Sequence, residues 1–278
     1  MLAGVLSENY AALRDSESSG RSVFAFFSGG ELDEKSYEFR SELLDTDEFK
    51  MFAKDKYVLL NLDLSSAEQV VARYGLSSYP TVYILSKDGY VLSIIQYNEA
   101  INSVSVLEDI LWEQTEGINR VSGAIEKVQS SSGVEKVRSI DSLYEATPVA
   151  GRKILAQLVK QVPLLDPDNA SGLVGKYEFI SVYDEAIEAI SEGRQDGVVE
   201  SFVNIAENGH LDPAQTFEAY YNAAYLMALF ASDDYDRMLD FLRKAMEADN
   251  ENVRADDVTS LMNTVSQMRD IVSADLVD

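Results

Sequence analysis

The stretch SVFAFFSGGELDEKS, residues 22–36, runs from an apolar segment into two glycines and then into a burst of charge. An apolar run that stops at Gly29-Gly30 and turns into a helix start brings free backbone N–H groups next to short polar side chains, a place for a helix cap or a bound anion. The side chains on offer are Asp33, Glu34, Lys35 and Ser36. A carboxylate at a helix start is stabilised by about 0.5–2 kcal/mol as an N-cap acceptor, so capping is the first expectation for Asp33 and ligand binding the second. Thiol chemistry is closed to this chain, which has no cysteine. A disulfide, a zinc thiolate site and a thiol nucleophile are all excluded, and cysteine usage says nothing about redox compartment. The single histidine, His210, lies in the loop-like NGHLDPAQ and reads as a surface or capping residue.

Other chemistry-bearing patterns are missing. No GxxxxGKS/T, GxGxxG, HExxH or GxSxG occurs, so the phosphate-cradling, zinc-protease and serine-hydrolase signatures find no support. Carboxylate pairs are plentiful, but 48 acidic residues guarantee chance pairs. Asp233-Asp234 and Asp256-Asp257 lack the alternating oxygen ligands, central glycine and terminal Glu of an EF-hand. No cofactor and no metal is expected.

The formal charge is −25, with 18 acidic against 9 basic residues in 1–112 and 30 against 14 in 113–278. Acidity spread over both halves repels phosphate backbones and anionic lipid, so nucleic acid is not an expected partner. No apolar run approaches the ~20 residues that a membrane span needs. MLAGVLSENYAALRDSESSG offers neither a basic n-region nor a long apolar h-region, so no signal peptide is expected.

The elements that must position residues 29–36 follow from periodicity. An amphipathic helix is expected over 5–16, with Leu6, Tyr10 and Leu13 on one face. SVFAFF at 22–27 is a buried strand. A helix follows from 34, with Tyr37, Leu43 and Leu44 among its apolar positions, and EFKMFAKDKY at 48–57 continues it. YVLLNLDL at 57–64 is a second strand, SSAEQVVARYG at 65–75 a helix, and SYPTVYIL at 78–85 a third strand. Lys87-Asp88-Gly89 turns the chain into YVLSIIQY, a fourth strand, and SVSVLEDILWEQ opens a helix from 103. Helical crossovers between the first strands make them parallel, whereas the KDG turn demands an antiparallel pair.

FFSGGELDEKSYEFRSELLDTDEFKMFAKDKYVLLNLDL, followed by YGLSSYPTVYILSKDG, resembles the thioredoxin superfamily over residues 8–115. The first tract matches in frame the F-x-G-S-D-W-C-x-W-C turn, helix and V-x-V-D strand; the second matches the Y-P-T segment and its closing glycine. The resemblance implies an α/β thioredoxin-like domain, a mixed sheet flanked by helices, over 1–118. It puts the redox pair at Asp33 and Ser36 and the preceding Trp at Leu32, all three departing from the pattern. Exchange needs a thiolate and a resolving sulfur, which a carboxylate and a hydroxyl cannot supply. Pro80 would be the family's cis-proline, and Tyr79 the residue whose backbone meets an extended peptide.

From Trp112 the chain reads as helical, with helices expected over 103–130, 134–146, 149–163, 172–192, 196–208, 213–231, 234–248 and 254–274. SSSG at 130–133 is the best site for a flexible joint. AAYLMALFASDDYDRMLDFLRKAMEADNEN, 223–252, resembles one tetratricopeptide repeat: Ala224 and Ala228 would allow close helix approach, and Tyr235, Met238, Leu242 and Ala245 recur at helical spacing. QVPLLDPDN at 161–169 resembles another repeat ending, but out of step with a regular array. Phe217, Tyr220, Tyr221, Tyr225 and Phe230 are expected in a core. An all-α, helical-hairpin domain is therefore expected over 119–278.

The function these features imply is binding of a protein or extended peptide by a redox-inactive thioredoxin-like module, with Asp33, Ser36, Tyr79 and Pro80 as the binding region and no thiol–disulfide activity. Two other readings stay open. A glutathione-transferase-like enzyme would use Ser36 on the glutathione thiolate, yet no E-S or Q-S pair follows the strand after Pro80. A weak calcium store like the calsequestrins has the charge but only one such domain. The resembling families are often exported in bacteria, which implies the periplasm or cell envelope, with the cytoplasm as the alternative.

Overall fold

The computed structural model describes residues 10–30, 33–63, 74–76 and 78–275. Leu6, Leu32 and nearly all of the expected helix over 65–75 lie outside the described residues, as do the side chains of Tyr10 and Leu13. The chain divides into two compact units, Met1–Leu158 and Val159–Asp278. The boundary expected between 118 and 119 falls inside a helix of the first unit, Thr115–Ser130.

The first unit begins with α1 (Tyr10–Ser19), β1 (Ser22–Ser28), α2 (Glu34–Phe39), α3 (Asp47–Ala53) and β2 (Tyr57–Asp63). It continues through β3 (Thr81–Leu85), β4 (Val91–Gln96), α4 (Val104–Glu113), α5 (Thr115–Ser130) and α6 (Gly133–Ala146). The sheet order is β2-β1-β3-β4. β1 and β2 run parallel from Ser22↔Tyr57 to Ser28↔Asp63. β3 is antiparallel to β1, with Phe27 opposite Thr81, and to β4, with Thr81 opposite Gln96. The five central residues of β1, VFAFF, are all buried, as a strand covered on both faces requires. Phe24 meets Phe49 of α3 at 5.2 Å between ring centroids, and Phe26 stacks on Phe39 of α2 at 5.8 Å. On the opposite face Phe27 meets Tyr83 at 5.3 Å and Tyr74 at 5.9 Å.

The single helical run expected from 34 to 57 is broken. α2 widens into a π-helical turn at Arg40–Leu44, closed by Asp45 N–H donating to the Arg40 carbonyl at 2.8 Å. Thr46 then adopts extended backbone and starts α3 afresh, its hydroxyl oxygen accepting Phe49 N–H at 3.2 Å. This phase change buries Ser36, Phe39, Leu43 and Leu44 and leaves Tyr37 69% exposed, against expectation. The helix expected over 103–130 divides at Gln114, whose side-chain oxygen accepts the Ser93 hydroxyl of β4. The helix expected over 149–163 is a 3-10 helix at Val149–Leu155, packed on β4, followed by the short turn α7 (Ala156–Val159).

The second unit contains α8 (Val162–Leu165), α9 (Val174–Ser191), α10 (Val198–Asn208), α11 (Pro213–Leu229), α12 (Tyr235–Ala248) and α13 (Ala255–Asp275). α11 starts with a capping box: Asp212 accepts Gln215 N–H, Gln215 returns the bond, and Pro213 occupies the first helical position. Asp234 caps α12 through Arg237 N–H at 3.1 Å. Phe217, Tyr220 and Tyr221 enter the core with Met238, Leu242 and Ala245, whereas Tyr225 is 47% exposed. Ala223 and Ala224, rather than Ala228, are the small residues at the buried helix contact; Ala228 is exposed. Among the described residues no helix is long and apolar enough to cross a membrane.

Candidate functional site

Three strand ends meet at one end of the sheet. The parallel register sets Ser28 beside Asp63, and the Ser28 hydroxyl donates to Asp63 Oδ2 at 3.1 Å. The antiparallel register sets Phe27 beside Thr81, so Pro80 takes the next place, beside Ser28. The Tyr79–Pro80 peptide bond is cis, and the Pro80 carbonyl accepts Tyr97 N–H at 3.3 Å. β1 leaves the sheet through Gly29 and Gly30. Gly30 has φ +103°, a conformation that L side chains rarely adopt, and a β-carbon there would lie 3.9 Å from both Asp63 carboxylate oxygens. The glycine pair thus carries the chain close over Asp63 and delivers it to α2.

Asp33 stands at the N-cap position of α2 with extended backbone, but its carboxylate caps no helical N–H. The expected cap is corrected to a different role. The Ser36 hydroxyl, one turn along, donates to Asp33 Oδ2, while Gly29 N–H donates to Ser36 Oγ at 3.1 Å. The competition is local: a carboxylate accepts more strongly from a hydroxyl it can reach than from a backbone donor it cannot align with. Ser36 is 3% exposed, so its donor and an acceptor lone pair are used in a buried setting. The first turn is closed by backbone bonds instead, Asp33 N–H to the Gly30 carbonyl at 3.1 Å and Tyr37 N–H to the Asp33 carbonyl at 3.0 Å.

Asp33 and Ser36 therefore contact each other, and Pro80 reaches the same end of the sheet. Tyr79 instead sits near Tyr83. Burial raises the Tyr79 phenol pKa, and Tyr83 is pushed up to about 12, first by burial and then by the neighbouring Tyr79. Beside Pro80 lies a narrow recess, too tight to admit even a water molecule, lined by Phe39, Thr81, Val82, Ile95 and Tyr97. Its size is set by Phe39 and Tyr97, whose rings meet edge to face at 5.6 Å. That is too small for a cofactor or drug-sized ligand, which needs ~300 Å³ or more. What the site can do is hold main chain and short polar groups. Asp63 and Ser28 belong to it and were not singled out from sequence. The available signal was Asp63 itself, closing the apolar strand YVLLNLD at the end where β1 gives way to glycine.

A family model described as "Uncharacterised protein C-terminal domain" matches residues 173–271, within the second unit. A relative from Treponema pallidum (strain Nichols), described as an uncharacterized protein, is 22% identical over 177 residues, 64% of this chain and 59% of the relative. The chain thus spans less than two thirds of that relative's length. A solved structure described as a DsbH oxidoreductase is 18% identical, covering 37% of this chain and 79% of its own, with a TM-score of 0.34, too low to carry an argument.

Proposed function

We propose that the first unit is a thioredoxin-like module that binds an extended protein segment without redox chemistry, and that the second is a tetratricopeptide-like set of helical hairpins. The strand order β2-β1-β3-β4, with β3 opposed to its neighbours, supports the thioredoxin-like reading. One observation carries the functional part: at the two positions where the resemblance puts redox sulfurs, Asp33 and Ser36 are bonded to each other and to the Gly29 backbone. The pair orders the turn where sulfurs would exchange electrons. The main chain at Tyr79-Pro80, beside a recess too small for a cofactor, is left to meet a peptide backbone. In the second unit, Glu200–Arg237 and Glu207–Lys244 link α10 to α12, alternate helices of the run, at a separation of 37 residues in each case. That spacing is close to the ~34-residue repeat and supports the hairpin reading. The periplasm or cell envelope is the compartment proposed, on the resemblance alone.

The test is selection of peptides from a random display library by the full chain, followed by affinity measurement with Asp33→Ala and Tyr79→Ala. Selected peptides should lose about tenfold or more in affinity, about 1.4 kcal/mol, with either variant. A library that yields no binder, or binders indifferent to both substitutions, would defeat the proposal.

A further inference from the structure

A second recess, of about 390 Å³, lies at the opposite end of β2, where Phe52 and Lys56 follow α3, Tyr57 opens the strand, and Glu108, Asp109, Leu111 and Trp112 come from α4. Asp63 and Tyr57 are six residues apart along β2, which separates the two sites by roughly 20 Å. Trp112 is the only tryptophan and is 80% exposed. Tryptophan is usually well buried, so so much indole surface left in water calls for a reason. Glu108 and Asp109 stand four and three residues before Trp112 and share its helix face. Neither carboxylate has a hydrogen-bond or ion-pair partner among the described residues. Phe52 and Tyr57 form the opposite wall, with ring centroids 6.1 Å apart.

Three aromatic rings and two carboxylates are the ingredients for holding an organic cation. The protein supplies its own indication: Lys56 Nζ lies 4.0 Å from the Phe52 ring centroid, so one wall already carries an ammonium group. We infer that this recess binds an arginine side chain of a basic protein segment, its guanidinium stacked on Trp112 and facing Glu108 and Asp109. A flat, weakly hydrated guanidinium stacks on an indole face better than an ammonium does. A chain of net charge −25 draws basic partners by its long-range field as well. The inference goes beyond the peptide site at Pro80 and does not depend on it.

Emission from Trp112 reports occupancy directly. The full chain, in 0.15 M salt to screen diffuse attraction, would be titrated with an Arg-Gly repeat peptide and with its citrulline counterpart. The arginine peptide should produce a saturable change in emission and the citrulline peptide none. Glu108→Gln/Asp109→Asn should weaken binding about tenfold or more, the equivalent of about 1.4 kcal/mol. Lys56→Gln, which removes a competing cation, should strengthen it. Asp256→Asn in the other unit should leave it unchanged. Equal response to both peptides, no saturable response, or a constant unmoved by Glu108→Gln/Asp109→Asn would overturn the inference.

Discussion

The Ser36 hydroxyl donates a hydrogen bond to Asp33 and accepts one from Gly29 N–H, so deleting its oxygen strands a partly buried N–H and a carboxylate together. Ser36→Ala should therefore cost about 1–3 kcal/mol in urea unfolding. Asp33→Asn retains an acceptor oxygen and should cost less. A loss within error for Ser36→Ala would mean that the bonded chain does not persist in solution. If the turn has thioredoxin-like geometry, Asp33→Cys/Ser36→Cys should form an intramolecular disulfide in a glutathione buffer; two thiols still free by titration would count against that geometry. Tyr83 supplies a test by pH. Its folded pKa, about 12, lies above the ordinary value of 10.0, so the folded state holds this proton more tightly. The associated stability is fully present below pH 10 and is lost as pH rises from 10 towards 12, where the unfolded phenol ionises first. Absorbance titration should show a tyrosine ionising near 12, and Tyr83→Phe should remove that step. The Tyr83 hydroxyl lies 3.5 Å from the Tyr74 carbonyl, too long for a strong bond, so at neutral pH the same variant should stay within ~1 kcal/mol of wild type.

Helices in this chain treat glycine in opposite ways. In α9, a β-carbon on Gly175 would lie 2.1 Å from the His210 carbonyl oxygen, because the loop between α10 and α11 crosses the helix there. That loop is tied down by His210 N–H donating to Glu178 Oε2 at 3.0 Å. Gly175→Ala must push the loop off the helix and should destabilise by about 1–3 kcal/mol. In α5, a β-carbon on Gly123 would meet nothing within 4 Å. Gly123→Ala should stabilise by up to ~1 kcal/mol, since only the helix propensity changes. Thermal melts of the two variants should move in opposite directions. Shifts of the same sign would mean that the loop contact on α9 does not hold.

The whole molecule is two units that carry a large net negative charge. Like charge on a compact body opposes folding, and salt screens it over about 10 Å at 0.1 M. The midpoint of thermal unfolding should therefore rise between 10 and 150 mM sodium chloride by a few degrees. Ion pairs such as Arg237–Glu200, at 2.6 Å, and Arg254–Glu218, at 2.9 Å, pull the other way, but most of their partners are solvent-exposed and such pairs contribute about 1 kcal/mol or less. A midpoint that falls with salt would show that the pairs outweigh the net repulsion.

Periodicity and turn residues by themselves determined the alternation of elements in the first unit, because burial imposes a period of two on strands and 3.6 on helices. The four strands at 22–28, 57–63, 81–85 and 91–96 lie where VFAFF, VLLNL, TVYIL and VLSII put them. The capping chemistry of α11 and α12 was equally local, carried by Asp212-Pro213 and Asp234. Contacts between distant segments decided the rest. Whether Tyr37 or Phe39 faces the sheet depends on the π turn at Arg40–Leu44, and Phe39 gains the Phe26 and Tyr97 rings across the chain. Asp63 joined Asp33 and Ser36 at one sheet end only because β1 and β2 pair in parallel from Ser22↔Tyr57 to Ser28↔Asp63. Phe52, Tyr57 and Trp112 formed a recess only when α4 folded back beside the start of β2. Local sequence specifies backbone preference and which residues seek burial; the partner that buries or faces each of them lies far along the chain, so only tertiary packing could choose it.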